Sequence, residues 1–282
     1  MSAMKSDAGL RGKVRHLANE HDLKPQEVLQ MYLFEHLLMR LAKSSYADKF
    51  VLKGGLLISS MTGIYQRMTM DMDTTVVGVD MDEETVAKAL AEICDVNVGD
   101  GMTYAFERIE PIRGDDEYAN WRAHLRAKYG RIDTPVKVDI TTGDAICPSQ
   151  VRHKFELMFD EGTLDLLSYH PATVLAEKLE TVLRRGEANT RGRDFYDLYA
   201  IPKYYSEAVG EADVSEALLR TSEKRGSRQA IEDWPATIEA LRSSNIMHRV
   251  WDSYLSDNLY ARGVTFEDTL ESIEELMRSA GF

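Results

Sequence analysis

A glycine pair followed at short range by two closely spaced carboxylates is the feature of this chain that most restricts its fold and chemistry. Gly54-Gly55 is followed, after fifteen residues, by Asp71-Met72-Asp73. Successive side chains of a strand point to opposite faces, so in a strand here the two acids share one face with Thr69, and the neighbouring methionines share the other. Two carboxylates one pleat apart can hold a divalent cation. Mg²⁺ in phosphoryl-transfer sites is bound by one or two carboxylates plus substrate phosphates.

The residues around the acids favour the same chemistry. Gly54 and Gly55 lack a Cβ and so allow the backbone to approach a ligand, and the amides at the start of a helix can face a phosphate group. Lys53 and Arg67 flank the glycines and the acids and could add positive charge to the site. The segment therefore predicts a nucleotidyl-transfer site.

Length, charge and cysteine content narrow the class of protein. The chain has 282 residues, enough for one large domain or two smaller ones. Its net charge of −13 argues against a broad, non-specific nucleic-acid surface but permits a local basic groove. Cys94 and Cys147 are too few for a disulfide framework or a zinc site. The first seven residues have no apolar core, and no stretch is long and apolar enough to span a membrane, so we expect a cytoplasmic protein.

The hydrophobic pattern changes near residue 170. Before it, short strands mix with helices, and after it periods near 3.6 residues dominate. The predicted strands are 50–52, 69–77, 102–112, 118–129, 135–140, 155–159 and 163–167. The predicted helices are 8–21, 25–43, 54–61, 82–94, 171–186, 192–201, 212–223, 234–256 (with Pro235 as an interruption) and 265–279. We therefore expect an α+β domain over 1–170 and a helical domain over 171–282.

Asp139 is the natural third carboxylate of the site. It lies on the predicted strand 135–140, on the face opposite Val136, Val138 and Ile140. Adjacent strands are about 4.8 Å apart, so Asp139 could lie beside the acid pair. The alternative is a strand acid paired with Lys137, which shares its face.

The helical part holds further charged candidates. Lys178, Thr181 and Arg185 share one helix face and could neutralise triphosphate charge, although an ordinary exposed face is the simpler interpretation of that stripe alone. Asp194 could act in the site or could cap the next helix, and Asp197 follows one turn later.

Basic and aromatic residues suggest, but do not require, nucleic-acid binding. The arginines Arg184, Arg185, Arg191 and Arg193 surround a helix junction, and a second group, Arg122, Arg126 and Lys128, shares a strand face. Tyr196 and Tyr199 could stack on a base or pack between helices, and packing is favoured. Residues 8–43 could form a helix-turn-helix, but two helices packed on a core are favoured.

Taken together, these segments resemble the AbiEii-type nucleotidyltransferase toxins of bacterial abortive-infection and toxin–antitoxin systems, including the mycobacterial MenT group. The resemblance rests on five motifs between residues 50 and 200. They are Phe50-Val51-Leu52-Lys53-Gly54-Gly55, Arg67-x-Thr69-x-Asp71-Met72-Asp73, Val136-Lys137-Val138-Asp139-Ile140, Ala176-Glu177-Lys178-Leu179 and Arg191-x-Arg193-Asp194-x-x-Asp197-Leu198. Leu56, Met68 and Thr74-Thr75 depart from the residues common in that family.

The resemblance implies a DNA polymerase β-like nucleotidyltransferase core, in which a mixed sheet is flanked by helices, and a helical C-terminal domain that completes the active-site cleft. Asp71 and Asp73 would bind Mg²⁺, and Lys178, Asp194 and Asp139 would complete the catalytic set. The nucleotide-binding residues would be Lys53, Gly54, Gly55, Arg67, Thr69, Arg185 and Arg191.

The resemblance also implies a function. Such a protein would transfer nucleotides from a nucleoside triphosphate to the 3′ end of tRNA, which blocks aminoacylation and translation, and an antitoxin would be encoded beside it. Two alternatives stay open: transfer to a protein or small molecule, or a catalytically inactive relative that binds a nucleotide or a partner.

Overall fold

The computed structural model describes residues 6–78, 82–112, 120–205 and 209–282, which form two compact units. The first unit comprises Met1–Ser60, Arg67–Asp144 and Val151–Ser168. The second comprises Met61–Gln66, Ala145–Gln150 and Tyr169–Phe282.

A mixed sheet organises the first unit. Its strands are β1 (Phe50–Lys53), β2 (Met72–Val76), β3 (Thr103–Pro111), β4 (Trp121–Tyr129), β5 (Ile132–Thr141), β6 (Val151–Glu156) and β7 (Thr163–Ser168). The order across the sheet is β3-β4-β5-β2-β1-β7-β6. The pairs β1–β7 and β2–β5 are parallel and the others are antiparallel. The helices are α1 (Asp7–Glu20), α2 (Pro25–Lys43), α3 (Gly54–Thr62) and α4 (Glu83–Asp95).

Alternating side chains produce the central strands, as the sequence predicted. The buried positions of β4 and β5 include Ala123, Leu125, Ala127, Val136, Val138 and Ile140. The intervening residues are at least partly exposed, so each of these strands has one face on the core and one toward solvent. The first two residues of the predicted strand 118–129 lie outside the described residues.

Helix α2 belongs to the core of this unit. Every residue from Gln30 to Leu41 is buried, and α2 packs against β5, β7 and α4. A DNA-recognition helix needs an exposed face for the groove. The core-packing interpretation of residues 8–43 is therefore confirmed, and the helix-turn-helix interpretation is wrong.

The acid-bearing strand is shorter than predicted. β2 begins at Met72, and residues 67–71 are not paired in the sheet. Met70 is 42% exposed whereas Met72 is 3% exposed, so the prediction that these methionines share a face is wrong. The physical reason is local: the Thr69 hydroxyl bonds to the backbone of Asp71, which replaces the sheet ladder there. The predicted strand 155–159 is also displaced, since β6 ends at Glu156.

Helices form the second unit. They are α5 (Pro171–Arg185), α6 (Gly192–Tyr204), α7 (Glu211–Lys224), α8 (Arg228–Glu232), α9 (Trp234–Ser243), α10 (Asn245–Asp257) and α11 (Phe266–Ser279). The predicted helix 234–256 is two helices that meet at Ser244. Pro235 does not interrupt it, because it lies in the first turn of α9, where no backbone donor is needed. No helix within the described residues is long and apolar enough to cross a membrane.

A buried charged network ties α2 to the segment before β3. Arg40 donates to both carboxylate oxygens of Asp100 at 2.8 and 2.9 Å, and His36 Nδ1 lies 2.6 Å from Asp100 Oδ2. Burial alone would raise the pKa of Asp100, but the hydrogen bonds from His36 and Arg40 outweigh it and hold that pKa well below its ordinary value. Asp100 is therefore a buried anion satisfied by two neighbours.

Glu35 lies on the same helix, but its surroundings raise its pKa instead of lowering it. Its side chain is buried, and Oε2 accepts the Met158 backbone N–H at 2.6 Å. Burial raises the pKa of Glu35 to about 7, the Met158 hydrogen bond opposes the rise, and Asp160 adds to it. In the unfolded chain this carboxyl releases its proton near the ordinary pKa of 4.5. Between pH 4.5 and about 7 the folded protein therefore binds a proton that the unfolded chain does not, and its free energy of unfolding falls as pH rises through this range.

We predict that Glu35→Gln removes this loss of stability. Relative to wild type, the variant should gain about 3 kcal/mol in free energy of unfolding between pH 5 and pH 8, because one pKa unit corresponds to about 1.4 kcal/mol. Urea unfolding at the two pH values measures it. Glu223→Gln, an exposed position, is the control and should show no such gain. Equal pH dependence in wild type and Glu35→Gln would contradict the prediction.

Candidate active site

The glycine pair lies directly against the acid-bearing segment. Gly54 and Gly55 are the first residues of α3, and Gly54 has a φ of +65°. A Cβ at Gly54 would lie 2.1 Å from Asp73 Oδ2, and a Cβ at Gly55 would lie 2.7 Å from Thr69 Oγ1. Only residues without a side chain allow this close approach. The structure therefore places the predicted glycine pair directly against Asp73 and Thr69.

Strand register aligns four charged residues across the sheet. Cross-strand partners share a face of the sheet, so their side chains are neighbours. In order from β1 to β4, the paired residues are Lys53, Asp73, Asp139 and Arg122. Asp139 is thus the strand neighbour of Asp73.

Asp139 is already paired with a cation of the protein. Arg122 Nε donates to Oδ1 and Nη2 donates to Oδ2, each at 2.7 Å. This hydrogen-bonded pair raises the pKa of Arg122, and the charge of Asp71 adds to the rise. Within the described residues no group of three or more His, Cys, Asp or Glu side chains could hold a metal ion. The binding of a cation by Asp71 and Asp73 stays a prediction.

Asp71 is positioned by a turn and not by the strand pleat. Its backbone N–H donates to Thr69 Oγ1 at 3.4 Å, and the Thr69 hydroxyl donates to the Asp71 carbonyl at 3.1 Å. Thr69 also lies against Gly55. Thr69 therefore connects the glycine pair to the first acid, and this is the role that its contacts show.

Lys53 and Arg67 make contacts inside the first unit. Lys53 Nζ lies 2.6 Å from both Thr141 Oγ1 and Asp144 Oδ2, so it links β1 to the end of β5. Arg67 is buried, donates to the Met68 carbonyl, and would lie 3.6 Å from a Cβ at Gly55. Both cations are near the glycine pair, and their contact with nucleotide stays a prediction.

In the second unit, one lysine forms ion pairs with two buried carboxylates. Lys178 Nζ lies 2.6 Å from Asp194 Oδ1 and 2.9 Å from Asp197 Oδ2. The carboxylates are 3% and 0% exposed. Asp194 Oδ2 is buried with no hydrogen-bond partner among the described residues, an unusual condition for a carboxylate oxygen. The cluster carries one more negative than positive charge, and α5 and α6 hold it in place.

Two arginines, Arg185 and Arg193, act electrostatically on a third, Arg191. Burial lowers the pKa of Arg191, and the positive charges of Arg185 and Arg193 lower it further, while Asp194 opposes them. None of the three arginines forms a salt bridge with the described residues. By contrast, Arg184 and Arg225 both pair with the buried Glu180. Guanidinium groups without acidic partners are suited to bind phosphate.

The two tyrosines of α6 differ in exposure. Tyr196 is fully buried, and its hydroxyl donates to the Gln66 carbonyl at 2.8 Å. It also contacts the rings of Tyr254 and Tyr260. The packing interpretation is confirmed for Tyr196, which cannot stack on a base. Tyr199 is only partly buried.

One protein family matches most of this chain. The family model for the nucleotidyl transferase AbiEii toxin of type IV toxin–antitoxin systems matches residues 36–272. This chain belongs to the AbiEii family. It is thus a member of a nucleotidyltransferase toxin family whose systems include an antitoxin, and the predicted resemblance is confirmed. No curated protein matches it.

Solved structures support the fold of this AbiEii-family chain. A protein of H. pylori assigned to the nucleotidyltransferases has 16% identity and a TM-score of 0.50, with 91% of this chain and 95% of that chain covered. JHP933 from Helicobacter pylori has 16% identity and a TM-score of 0.52, with 91% and 92% covered. At this identity the likeness shows the fold alone, and the predicted α+β nucleotidyltransferase fold is confirmed.

Two residues that contact candidate site residues, one in each unit, had no assigned role from the sequence. Arg122 was recognised only as part of a basic strand face, because its partner Asp139 is seventeen residues away in sequence. Asp197 was part of the last motif of the family resemblance but had no assigned role. A lysine and two acids at 178, 194 and 197 were the available signal, but only tertiary packing brings them together.

Gly54→Ala should abolish nucleotidyl transfer, because the methyl group would displace the Asp73 carboxylate and an L-residue at this φ costs about 1–2 kcal/mol. We expect a loss of at least about 100-fold with a modest fall in melting temperature. The control is Gly12→Ala, where no atom lies within 4 Å of the new methyl group. Full transfer activity of Gly54→Ala would contradict this reading of the glycine–acid contact.

Proposed function

We propose that this protein transfers a nucleotide from a nucleoside triphosphate to an RNA acceptor, the 3′ end of tRNA, in a Mg²⁺-dependent reaction that blocks aminoacylation and translation. The observation that carries the proposal is the contact of the α3 N-terminus with Asp73 at the position of Gly54. Backbone amides suited to phosphate and carboxylates suited to a cation lie side by side there.

The residues present fit a magnesium ion. Asp71 and Asp73 supply the hard oxygen ligands that Mg²⁺ prefers, and two protein carboxylates leave coordination positions for water and substrate phosphate. When bound, Mg²⁺ supplies charge stabilisation at the transferring phosphoryl group and favours the reactive form of the acceptor hydroxyl. Asp71 and Asp73 would hold it. Arg122 holds Asp139 beside the pair, and we assign Asp139 the positioning of the acceptor hydroxyl.

Lys178 and the neighbouring arginines would neutralise the negative charge of the triphosphate. Phosphoryl transfer depends mainly on positioning and on stabilising charge. Lys178 would contact a phosphate oxygen, with Arg185 and Arg191 adding positive charge. Asp194, whose Oδ2 lacks a hydrogen-bond partner among the described residues, would orient Lys178 or accept a proton. Gly54, Gly55, Lys53, Arg67 and Thr69 would shape the nucleotide site.

The acceptor and the antitoxin are separate parts of the proposal. Family membership supports a triphosphate substrate and an antitoxin partner. The proposed tRNA acceptor is supported by arginines that have no acidic partner among the described residues, such as Arg185 and Arg191, whereas the net charge of −13 favours a protein or small-molecule acceptor. An inactive relative is disfavoured, because Asp71, Asp73, Lys178 and Asp194 are all present.

A labelling assay tests the proposal. Purified protein, Mg²⁺ and each of the four α-labelled nucleoside triphosphates are incubated with total tRNA. Label on tRNA that disappears with EDTA and returns with Mg²⁺ would support the proposal and identify the nucleotide. Label on a protein or on a small molecule would show that the acceptor is not tRNA. A complete absence of label would favour the binding-protein alternative.

Asp71→Asn should lower transfer by at least about 1,000-fold, equivalent to about 4 kcal/mol of transition-state stabilisation, while the protein stays folded. The substitution keeps the shape and removes the charge that would hold Mg²⁺. The matched control is the exposed Asp252→Asn, which should transfer normally. Wild-type rates in Asp71→Asn would refute the metal assignment.

Lys178→Met separates a structural role from a functional one. Alone, it leaves two buried carboxylates without their cation and should cost about 3–5 kcal/mol of stability. Lys178→Met/Asp197→Asn should recover part of that stability, because only the buried Asp194 is then left without its cation, yet transfer should stay at least about 100-fold down if Lys178 binds phosphate. Circular-dichroism melting and the labelling assay measure the two effects. Recovery of both stability and transfer would show that Lys178 is only structural.

A further inference from the structure

A cavity lies in the first unit, away from the row of charged residues formed by Lys53, Asp73, Asp139 and Arg122. Its volume is about 300 Å³, within the lower range of small-ligand pockets. Helices α1 and α2 and the turn between β4 and β5 form its walls. Its charged lining residues are Arg11, Arg15, Arg131 and Asp133, and Val14, Leu29 and Ile132 contribute apolar surface.

Asp7 fixes the walls of this cavity to one another. Its Oδ2 accepts the backbone N–H of Arg131 at 3.2 Å and lies 3.3 Å from Arg11 Nη2. The Asp7 side chain also packs on the turn, where a Cβ at Gly130 would lie 2.8 Å from it. The first turn of α1 is therefore attached to the β4–β5 turn, and the cavity is a built feature of the unit.

The cavity has an excess of positive charge. Neither Arg15 nor Arg131 has an acidic side-chain partner in the part of the chain that the structure describes. The one acid in the lining, Asp133, pairs instead with Arg126 and lies 3.8 Å from Lys128 Nζ. In a chain with a net charge of −13, two unpaired guanidinium groups around one pocket indicate an anionic ligand.

The cavity is remote from the proposed chemistry. Asp133 and Asp139 lie on the same strand, β5, six residues apart. At about 3.3 Å per residue they are roughly 20 Å apart along the strand. A ligand in the cavity is therefore too far from Asp139 to be the reacting group, and it must act by binding alone.

We propose that Arg15 and Arg131 bind a backbone phosphate of the RNA acceptor at this cavity, a contact that rests on the proposed function. Guanidinium groups match the geometry of phosphate, and the apolar residues between them suit the carbon surface of a sugar. A polynucleotide substrate is long enough to reach both this cavity and the proposed reaction site near Asp139. Its contacts far from the reacting atoms contribute binding energy and fix its register.

The test compares Arg15→Gln/Arg131→Gln with Arg262→Gln, an exposed arginine in the second unit. Fluorescence anisotropy with labelled tRNA measures binding between 50 and 200 mM salt, and steady-state labelling measures transfer. The double variant should bind RNA at least about 10-fold more weakly, with the slope of log K against log salt reduced by about one to two. Its KM for RNA should rise by a similar factor. Its kcat and its KM for nucleoside triphosphate should stay within about twofold, and Arg262→Gln should behave as wild type.

Two results would overturn this proposal while leaving nucleotidyl transfer to RNA intact. One is unchanged RNA affinity and salt dependence in the double variant. The other is unchanged RNA binding with a loss of binding to free nucleoside monophosphate, measured by calorimetry, which would assign the cavity to a small phosphate ligand. If the wild-type protein neither binds nor labels RNA, the RNA acceptor of the proposed function is refuted. The proposed contact of Arg15 and Arg131 with RNA is then refuted as well.

Discussion

The close approach of the α3 N-terminus to Asp73 is the constraint on which the rest of the site depends. β1 ends at Lys53 opposite Asp73, and the chain turns at once into α3 at Gly54 with a positive φ. A side chain there would occupy the space of the carboxylate. The amides of a helix start and an acid on the neighbouring strand are therefore held together by backbone geometry, which is more rigid than side-chain contacts alone. The pairing of β2 with β5 then adds Asp139 to the same row.

Local patterns predicted the elements well wherever burial alternates regularly. β5 and β4 were predicted because one face of each strand is buried and the other is not. The segment 69–71 was assigned wrongly for a reason that periodicity cannot detect. Threonine, methionine and aspartate alternate there as they would in a strand, but the Thr69 hydroxyl bonds to the Asp71 backbone and ends the ladder. Pro235 was misread because proline both starts helices and breaks them.

The contacts of the candidate residues within each unit were harder to predict than the residues themselves. The glycine pair and the acids form a local sequence motif, and Gly54 lies directly against Asp73. The bidentate pairing of Arg122 with Asp139 and the sharing of Lys178 between two acids depend on strand register and helix packing, which no short window of sequence specifies. Asp194 was ambiguous because a helix N-terminus favours an acid with or without a catalytic role.

The distribution of charge makes the proposed RNA acceptor compatible with an acidic protein. A phosphate in solution at physiological salt responds mainly to charges within about 8–10 Å, so the net charge of the whole chain is largely screened. Many cations of this chain are already neutralised, as Arg122 is by Asp139 and Arg225 by Glu180. Those without acidic partners among the described residues, such as Arg15 and Arg185, can bind phosphate without first breaking an ion pair. The pairing state of each arginine therefore predicts its role better than the total charge does.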